Sequence, residues 1–435
     1  MASLLTMFLA YGIITVIRSA FQNERKTDFS VYAVAGYAVR VGLDPYAITD
    51  EHGWHYCYPP PFAVAMVPFA DPPAGEPHAG YLPFAVSASL WYLISVLAIG
   101  VASHALASAV FPSESRADPN WWLTRLAPVW ICLGGIGMTL GRGQVNLVVV
   151  CLIALGIAAS IRQNSFRAGI WLGLAACIKV IPAMLFLVPL LRRDGRMILG
   201  GAVCAVVMLG IIPSAVWGVS GGIEMNRKML EQILGPGVMG GEKDARSDEL
   251  TNAVATDNQS FQYVVHNWRH PVETNRPKDY EAVSKIAHVV LSLLMLGVTA
   301  YGIGRAESTP STQVIAFGCL AAMLPLVSPV SHMHYYAFLF PLVAGLWLKG
   351  VSETSIWPDR ATMFVLIGWS LIILTSFLPI PFWKGLRPFG SCTAATLLLW
   401  AFGIGRLSFT SAKTKNAGLS PAFAKSLSAS SERVI

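Results

Sequence analysis

The sequence is built from long apolar runs in close succession, and that pattern leaves few folds open. A helix needs about 20 apolar residues to cross a hydrocarbon core. Runs near that length occur at roughly 2–19, 83–111, 126–140, 145–161, 196–219, 284–303, 312–327, 335–349, 361–380 and 389–407. Only 13% of the 435 residues are charged and 54% are hydrophobic, whereas soluble domains carry about a quarter charged residues. The mean hydropathy is +0.56. The expected fold is an all-α polytopic membrane protein with about 10–11 transmembrane helices, one integral domain over 1–410. Residues 411–435, rich in Ser, Ala and Lys without periodicity, read as a disordered cytoplasmic tail. The first run lacks a basic n-region and a small-x-small cleavage site, so it reads as a retained span.

The stretch at about 168–191 is the awkward one. Arg162 and Arg167 precede it, Arg192, Arg193 and Arg196 follow it, and Lys179 and Pro182 interrupt its middle. Read as two half-helices that enter and leave on one side, it keeps both basic flanks cytoplasmic. With a cytoplasmic N-terminus, the loops holding Asp28, Gln144, Asn258 and His334 then all fall outside, and loops 20–82 and 220–283 are the large external ones. A full crossing would move the last two groups to the cytoplasm.

The net charge of +7 and a pI near 9.0 raise nucleic acid as a partner. The basic residues are scattered over short loops and the tail, so membrane lipids with anionic headgroups are expected instead, and no nucleic acid. Six of the seven cysteines lie in or beside apolar runs and only Cys57 in a polar loop. No disulfide framework and no Cys/His metal spacing follows from that distribution.

Several polar groups stand out against this background. Asp28 opens a segment in which Val31, Ala35, Ala38 and Val39 share one side, read as an amphipathic helix along the interface and ended by Gly42, Asp44 and Pro45. Asp28 reads by position first as a first-turn acid favoured by the helix dipole, and alternatively as a general base beside a lipid-borne substrate. Asp44 fits a turn or a contact to a sugar hydroxyl. Tyr58-Pro59-Pro60-Pro61 must be extended, because each proline restricts its predecessor. In Gly141-Arg142-Gly143-Gln144-Val145-Asn146 a tight glycine turn presents Gln144 and Asn146 at a helix start, either as caps or as amides for sugar hydroxyls. Lys179 is a cation deep in an apolar stretch, a functional sign with a phosphate or carboxylate as partner. Asn258-Gln259-Ser260 closes the long loop. His332 and His334 lie in the Ser328–Tyr336 turn, as phosphate contacts or as satisfied interfacial histidines beside belt tyrosines.

In this order the set resembles glycosyltransferase family 87, membrane enzymes of the GT-C fold. The residues that carry the likeness are Asp28 with Val31-Tyr32, Gly42-Leu43-Asp44-Pro45-Tyr46, Tyr58-Pro59-Pro60, Gly143-Gln144-Val145-Asn146, Lys179-Val180-Ile181-Pro182, Asn258-Gln259-Ser260 and the turn ending in His334. The resemblance implies inverting transfer of a hexose, mannose first, from a polyprenyl-phosphate-linked donor to a glycolipid or glycan acceptor. It implies that this happens at the extracytoplasmic face of the cytoplasmic membrane, with no cofactor and no metal. It makes Asp28 the base and His334 an active-site histidine. Tyr32, Asp44, Tyr58, Gln144, Asn146, Lys179, Asn258, Gln259, Ser260 and His332 become substrate-binding residues. An arginine expected shortly after Asn-Gln-Ser has its nearest counterpart in Arg269. Arabinofuranose transfer is the alternative within the family. A flippase for a lipid-linked saccharide is the rival outside it, although transporters tend to carry paired broken segments and only one break is evident here.

Overall fold

The computed structural model describes residues 2–21, 27–231, 235, 258–354, 357–376 and 381–417. Regular structure among them is helical, with one isolated antiparallel bridge between Thr49 and His55. The first group is α1 (Ala2–Phe21), α2 (Asp28–Val41), α3 (Pro60–Ala65), α4 (Phe84–Val110), α5 (Pro119–Ile131), α6 (Leu133–Arg142) and α7 (Asn146–Ile161). Then come α8 (Ser165–Ile178), α9 (Leu187–Leu191), α10 (Gly195–Ala205), α11 (Ile212–Met229) and α12 (Phe261–Arg269). The last group is α13 (Ala282–Arg305), α14 (Pro310–Val327), α15 (Phe340–Thr354), α16 (Arg360–Thr375), α17 (Pro381–Leu386) and α18 (Ser391–Ala417). Helix α18 thus continues into the stretch read as a tail, and residues 418–435 lie outside the described residues.

The chain is an all-α polytopic membrane protein. Five helical runs among the described residues are long and apolar enough to cross a membrane, and α5 with α6, bent by 65°, adds a sixth. The other expected spans form as shorter apolar helices, such as Asn146–Ile161 and Arg360–Thr375. Their shortness has a visible cause in Pro, Gly and polar residues that interrupt the runs. At the centre stand α14 and the run Met333–Ser352, whose apolar windows are 83% and 89% buried. On the outside α13 turns Ile286, Val290, Leu293 and Leu294 outward, as expected where the surroundings are lipid rather than water.

The awkward stretch goes in and comes back. Ser160, at the end of α7, donates to Gln313 Oε1 at 3.3 Å, and Gln313 donates to Ser308 Oγ at 3.1 Å. Arg192, beyond α9, reaches the same Ser308 at 3.5 Å. Residues before α8 and after α9 therefore meet at one end of the bundle. Between them Lys179 stands at the far end, where it bonds Asn146 at the start of α7. The half-helix reading holds.

A second reversal is not foreshadowed by the apolar pattern. The backbone of Gly218 has φ 74° and ψ 166° inside α11, a conformation open to glycine. Beyond it the helix folds back: Asn226 donates to Leu209 O at 2.7 Å, and a methyl on Gly222 would meet Ser214 N at 2.8 Å. A π-helical turn at Val206–Ile211 precedes the fold-back and loosens the carbonyl that Asn226 takes up. Lys228 then pairs with Asp44 at 2.6 Å, and Met229 reaches the cavity described below.

Helix α2 forms as expected but is not a half-submerged amphipathic helix. Every residue from Phe29 to Ala38 is buried. The following chain covers the side expected to be open. Asp71 N donates to Ala33 O at 3.1 Å, and Gly36 lets Met66 O approach to 2.5 Å of where a Cβ would stand. Phe29 packs on Phe69, Phe84 and Trp91, and Tyr32 on Tyr58 and Phe62. Alanines and a glycine on three sides of α2 permit that close wrapping.

The tightest helix pair is α8 on α10. A methyl on Gly169 would overlap the Met197 carbonyl, and one on Gly200 the Phe166 carbonyl, so small residues set the approach as in other membrane bundles. Gly169→Ala is expected to force the pair apart and to lower the midpoint of thermal denaturation in detergent, at a cost of about 1–3 kcal/mol. Gly297→Ala on α13, where a Cβ meets nothing within 4 Å, is expected to leave the midpoint unchanged or slightly raised.

Candidate active site

Helix ends converge on one cavity of about 590 Å³. Asp28 faces it from the first turn of α2, where the positive end of the helix favours a carboxylate. Arg142 faces it from the last turn of α6, and Lys179 from the C-cap of α8. Both cations thus sit at negative helix ends. His332, His334 and Tyr335 close another side, and Trp54 and Tyr58 come from the segment that wraps α2.

Asp28 is held by Gln144, whose Nε2 donates to Asp28 Oδ2. Gln144 Oε1 accepts from the hydroxyls of Tyr32 and Tyr58, both at 3.0 Å, and those hydroxyls lie 2.9 Å apart. Gly143 makes this possible. Its φ of 65° ends α6, and its carbonyl accepts from Trp91 Nε1 at 2.8 Å. Burial raises the Asp28 carboxyl above the ordinary carboxylate range, while the Arg142 charge and the Gln144 bond hold the rise down.

Lys179 is buried, with its ammonium 2.9 Å from Asn146 Oδ1 and 4.0 Å from the centre of the Tyr335 ring. Asn146 turns its Nδ2 to His334 O at 3.0 Å, and Thr139 Oγ1 reaches the same carbonyl at 3.0 Å. Helix α6 can approach that turn because Gly135 leaves room: a methyl there would meet Ala337 N at 2.7 Å. The His334 ring is buried beside His332 and Tyr335, and its Nδ1 has no hydrogen-bond partner among the described residues. A buried donor or acceptor of that kind at a cavity wall is a natural contact for a ligand oxygen. Among the described residues no three His, Cys, Asp or Glu side chains gather as a metal site.

An acid, two cations and a histidine thus share one cavity. The sequence profile of Glycosyltransferase family 87 matches residues 56–329. The chain belongs to this family. Among curated relatives, the polyprenol-phosphate-mannose-dependent alpha-(1-2)-phosphatidylinositol mannoside mannosyltransferase of Mycolicibacterium smegmatis is 25% identical over 358 residues, which cover 78% of this chain and 73% of that protein. The protein of the same name from Mycobacterium tuberculosis is 25% identical over 75% of this chain and 68% of its own length. An alpha-(1->3)-arabinofuranosyltransferase of Mycobacterium tuberculosis is 30% identical over 158 residues, 35% of this chain and 33% of that one. As a member of family 87 the chain is a glycosyltransferase and an integral membrane protein.

The family 87 residues singled out in the sequence divide into two groups. Asp28, Tyr32, Tyr58, Gln144, Lys179, His332 and His334 line the cavity, and Asn146 lies directly behind Lys179. Asn258, Gln259 and Ser260 are buried outside it and hold its wall. Asn258 Oδ1 accepts from Ser331 N and Ser260 N, both at 3.0 Å, and Gln259 N donates to Ser331 O at 2.7 Å. Gln259 Nε2 reaches Arg387 O at 3.0 Å, while Ser260 caps α12. Asp44 caps its own turn at Tyr46 N and pairs with Lys228. Arg269 is tied to Glu281 at 2.8 Å away from the cavity. Arg142 supplies the second cation instead. In the sequence it lies between Gly141 and Gly143, two residues before Gln144.

Replacing Asn258 by Leu would strip the partner from two buried amides, each worth about 1–3 kcal/mol. Asn258→Leu is therefore expected to lower the thermal midpoint more than Asp44→Ala, whose ion pair is partly exposed. Denaturation of the two variants in the same detergent measures the difference.

Proposed function

We propose that the protein transfers a hexose, mannose first, from a polyprenyl-phosphate-linked donor to a hydroxyl of a glycolipid or glycan acceptor, with inversion. The carrying observation is the arrangement of a carboxylate, Asp28, on the same cavity as Arg142, Lys179 and His334. In a single displacement the acceptor oxygen attacks the anomeric carbon opposite the phosphate. Its proton passes to Asp28, the new C–O bond forms, and the bond from the anomeric carbon to the phosphate oxygen breaks. The departing polyprenyl phosphate gains negative charge as that bond breaks. Arg142, Lys179 and the His334 ring meet a charge that is larger in the transition state than in the ground state, which is what accelerates the step. Asp28, raised by burial with Arg142 and Gln144 opposing the rise, suits a base.

Charge supports one orientation. The end of the bundle opposite the cavity carries Arg162, Arg192, Lys349 and Arg406, whose partners Ser108, Ser308 and Asp359 lie there too. By the positive-inside rule these residues support that end as the cytoplasmic one, and so the cavity at the extracytoplasmic face of the cytoplasmic membrane. The mannose donors named in the two longest matches favour mannose. The shorter arabinofuranosyltransferase match keeps arabinofuranose as the second donor.

Transfer is measured in proteoliposomes from radiolabelled polyprenyl-phosphate mannose to lipid extracts of the source cell. The wild type is expected to transfer label, and Asp28→Asn to lose about 10²–10⁴-fold while keeping the wild-type thermal midpoint. Lys179→Met is expected to lower kcat more than it raises KM. Label moved from the arabinofuranose donor alone would replace mannose. Full activity in Asp28→Asn would end the base assignment.

A further inference from the structure

Gln144 is the residue whose role the structure changes most. Resting on Asp28 as the base, we propose that Gln144 is a positioning residue, clamped by the hydroxyls of Tyr32 and Tyr58 and donating to Asp28, and not a ligand of the sugar.

The hydrogen-bonding capacity of the side chain carries the argument. An amide oxygen has two lone pairs, and the two tyrosine hydroxyls stand at 3.0 Å from it. The amide nitrogen is turned to Asp28 Oδ2. Flipping the amide would set its oxygen against the carboxylate, so the phenols decide which end of Gln144 meets Asp28. That bond in turn stops the carboxylate from rotating about its last torsion. It selects the oxygen that can take the acceptor proton.

The clamp is itself rigidly built. Tyr32 is fully buried in α2 and packed edge-on to Tyr58 and Phe62, with ring centres 5.1 and 5.0 Å away. Tyr58 is followed by a single extended residue, Pro59 (φ −57°, ψ 148°), before Pro60 and Pro61 turn into α3 instead of staying extended as expected, and the Tyr58 carbonyl accepts from Tyr46 at 2.8 Å. Gln144 is buried, its backbone N–H is bound to Thr139 O at 3.0 Å, and the preceding glycine is pinned by Trp91. The separated motifs at Tyr32, Tyr58 and Gln144 therefore act on one carboxylate. Sugar hydroxyls are left to other groups of the cavity, among them His332 and Trp54.

The test is the pH dependence of mannosyl transfer from polyprenyl-phosphate mannose by full-length protein in proteoliposomes, for wild type, Gln144→Leu, Tyr32→Phe with Tyr58→Phe, and Asp28→Asn. A donor bond favours the ionised carboxylate, so its loss makes the base harder to ionise. The acidic limb of kcat/KM is expected to move to higher pH by about one unit in Gln144→Leu. It should move the same way, by less, in the double phenylalanine variant, with KM for the donor unchanged in both. An unmoved limb with a raised donor KM would make Gln144 a sugar ligand and overturn the proposal. An unmoved limb with kcat falling alongside the thermal midpoint would overturn it in favour of a purely structural role. Activity retained in Asp28→Asn would overturn the base assignment on which the proposal rests. Activity lost there with the limb unmoved in Gln144→Leu would sink the positioning role alone.

Discussion

Within hydrocarbon an interrupted helix must find protein partners for the backbone groups it frees, and this requirement organises the molecule. The chain breaks at Cys132 between α5 and α6, at Lys179 after α8, and at Ser328–His332 after α14. The break after α14 is met at the cavity by side chains of neighbouring elements. The carbonyl of His334 is taken by Thr139 of α6 and Asn146 of α7. The amide and carbonyl of Ser331 are taken by Asn258 and Gln259. Polar side chains brought in to satisfy the backbone also define the walls. The cavity is the space left where broken helices are held open by their own hydrogen bonds.

Charge follows the same geometry. An acid sits at a helix start, and two cations sit at helix ends, so the peptide dipoles and the side chains agree in sign at each point. Lys179 and Arg142 would be costly in lipid, but an asparagine, aromatic faces and a facing carboxylate hold them. The electrostatic work of the site is thus distributed over backbone and side chain alike.

Much of this was legible from residue types alone. An intramembrane lysine flanked by basic loops implied a break that returns to its own side, and hydrogen bonds through Gln313 and Ser308 place both ends together. Glycine before Gln144 implied a tight turn, and the turn is there. Other features were hidden by the limits of periodicity. Helix α2 has small residues around most of its circumference, so an apolar stripe could be drawn although the following chain buries every side. The fold-back at Gly218 lies inside an unbroken apolar run, and only Pro213 with the glycines at 218, 221 and 222 hinted at it. Asn258, Gln259 and Ser260 looked like ligands because polar groups beside a membrane are costly without a role. In the structure Asn258 and Gln259 bond the turn before His334, and Ser260 caps α12.

The pairing of α7 and α6 with the turn at His334 spans 188 and 195 residues of sequence, and Gln259 to Arg387 a further 128. During synthesis the half-helix carrying Lys179 therefore emerges long before the segments that complete its surroundings. Until α14 and the following turn are inserted, that cation and the Asn146 amide must rely on each other and on water. Assembly of the pocket is thus one of the last events in biogenesis. A chain interrupted before Arg387 carries every side chain of the site but lacks the carbonyl that Gln259 bonds.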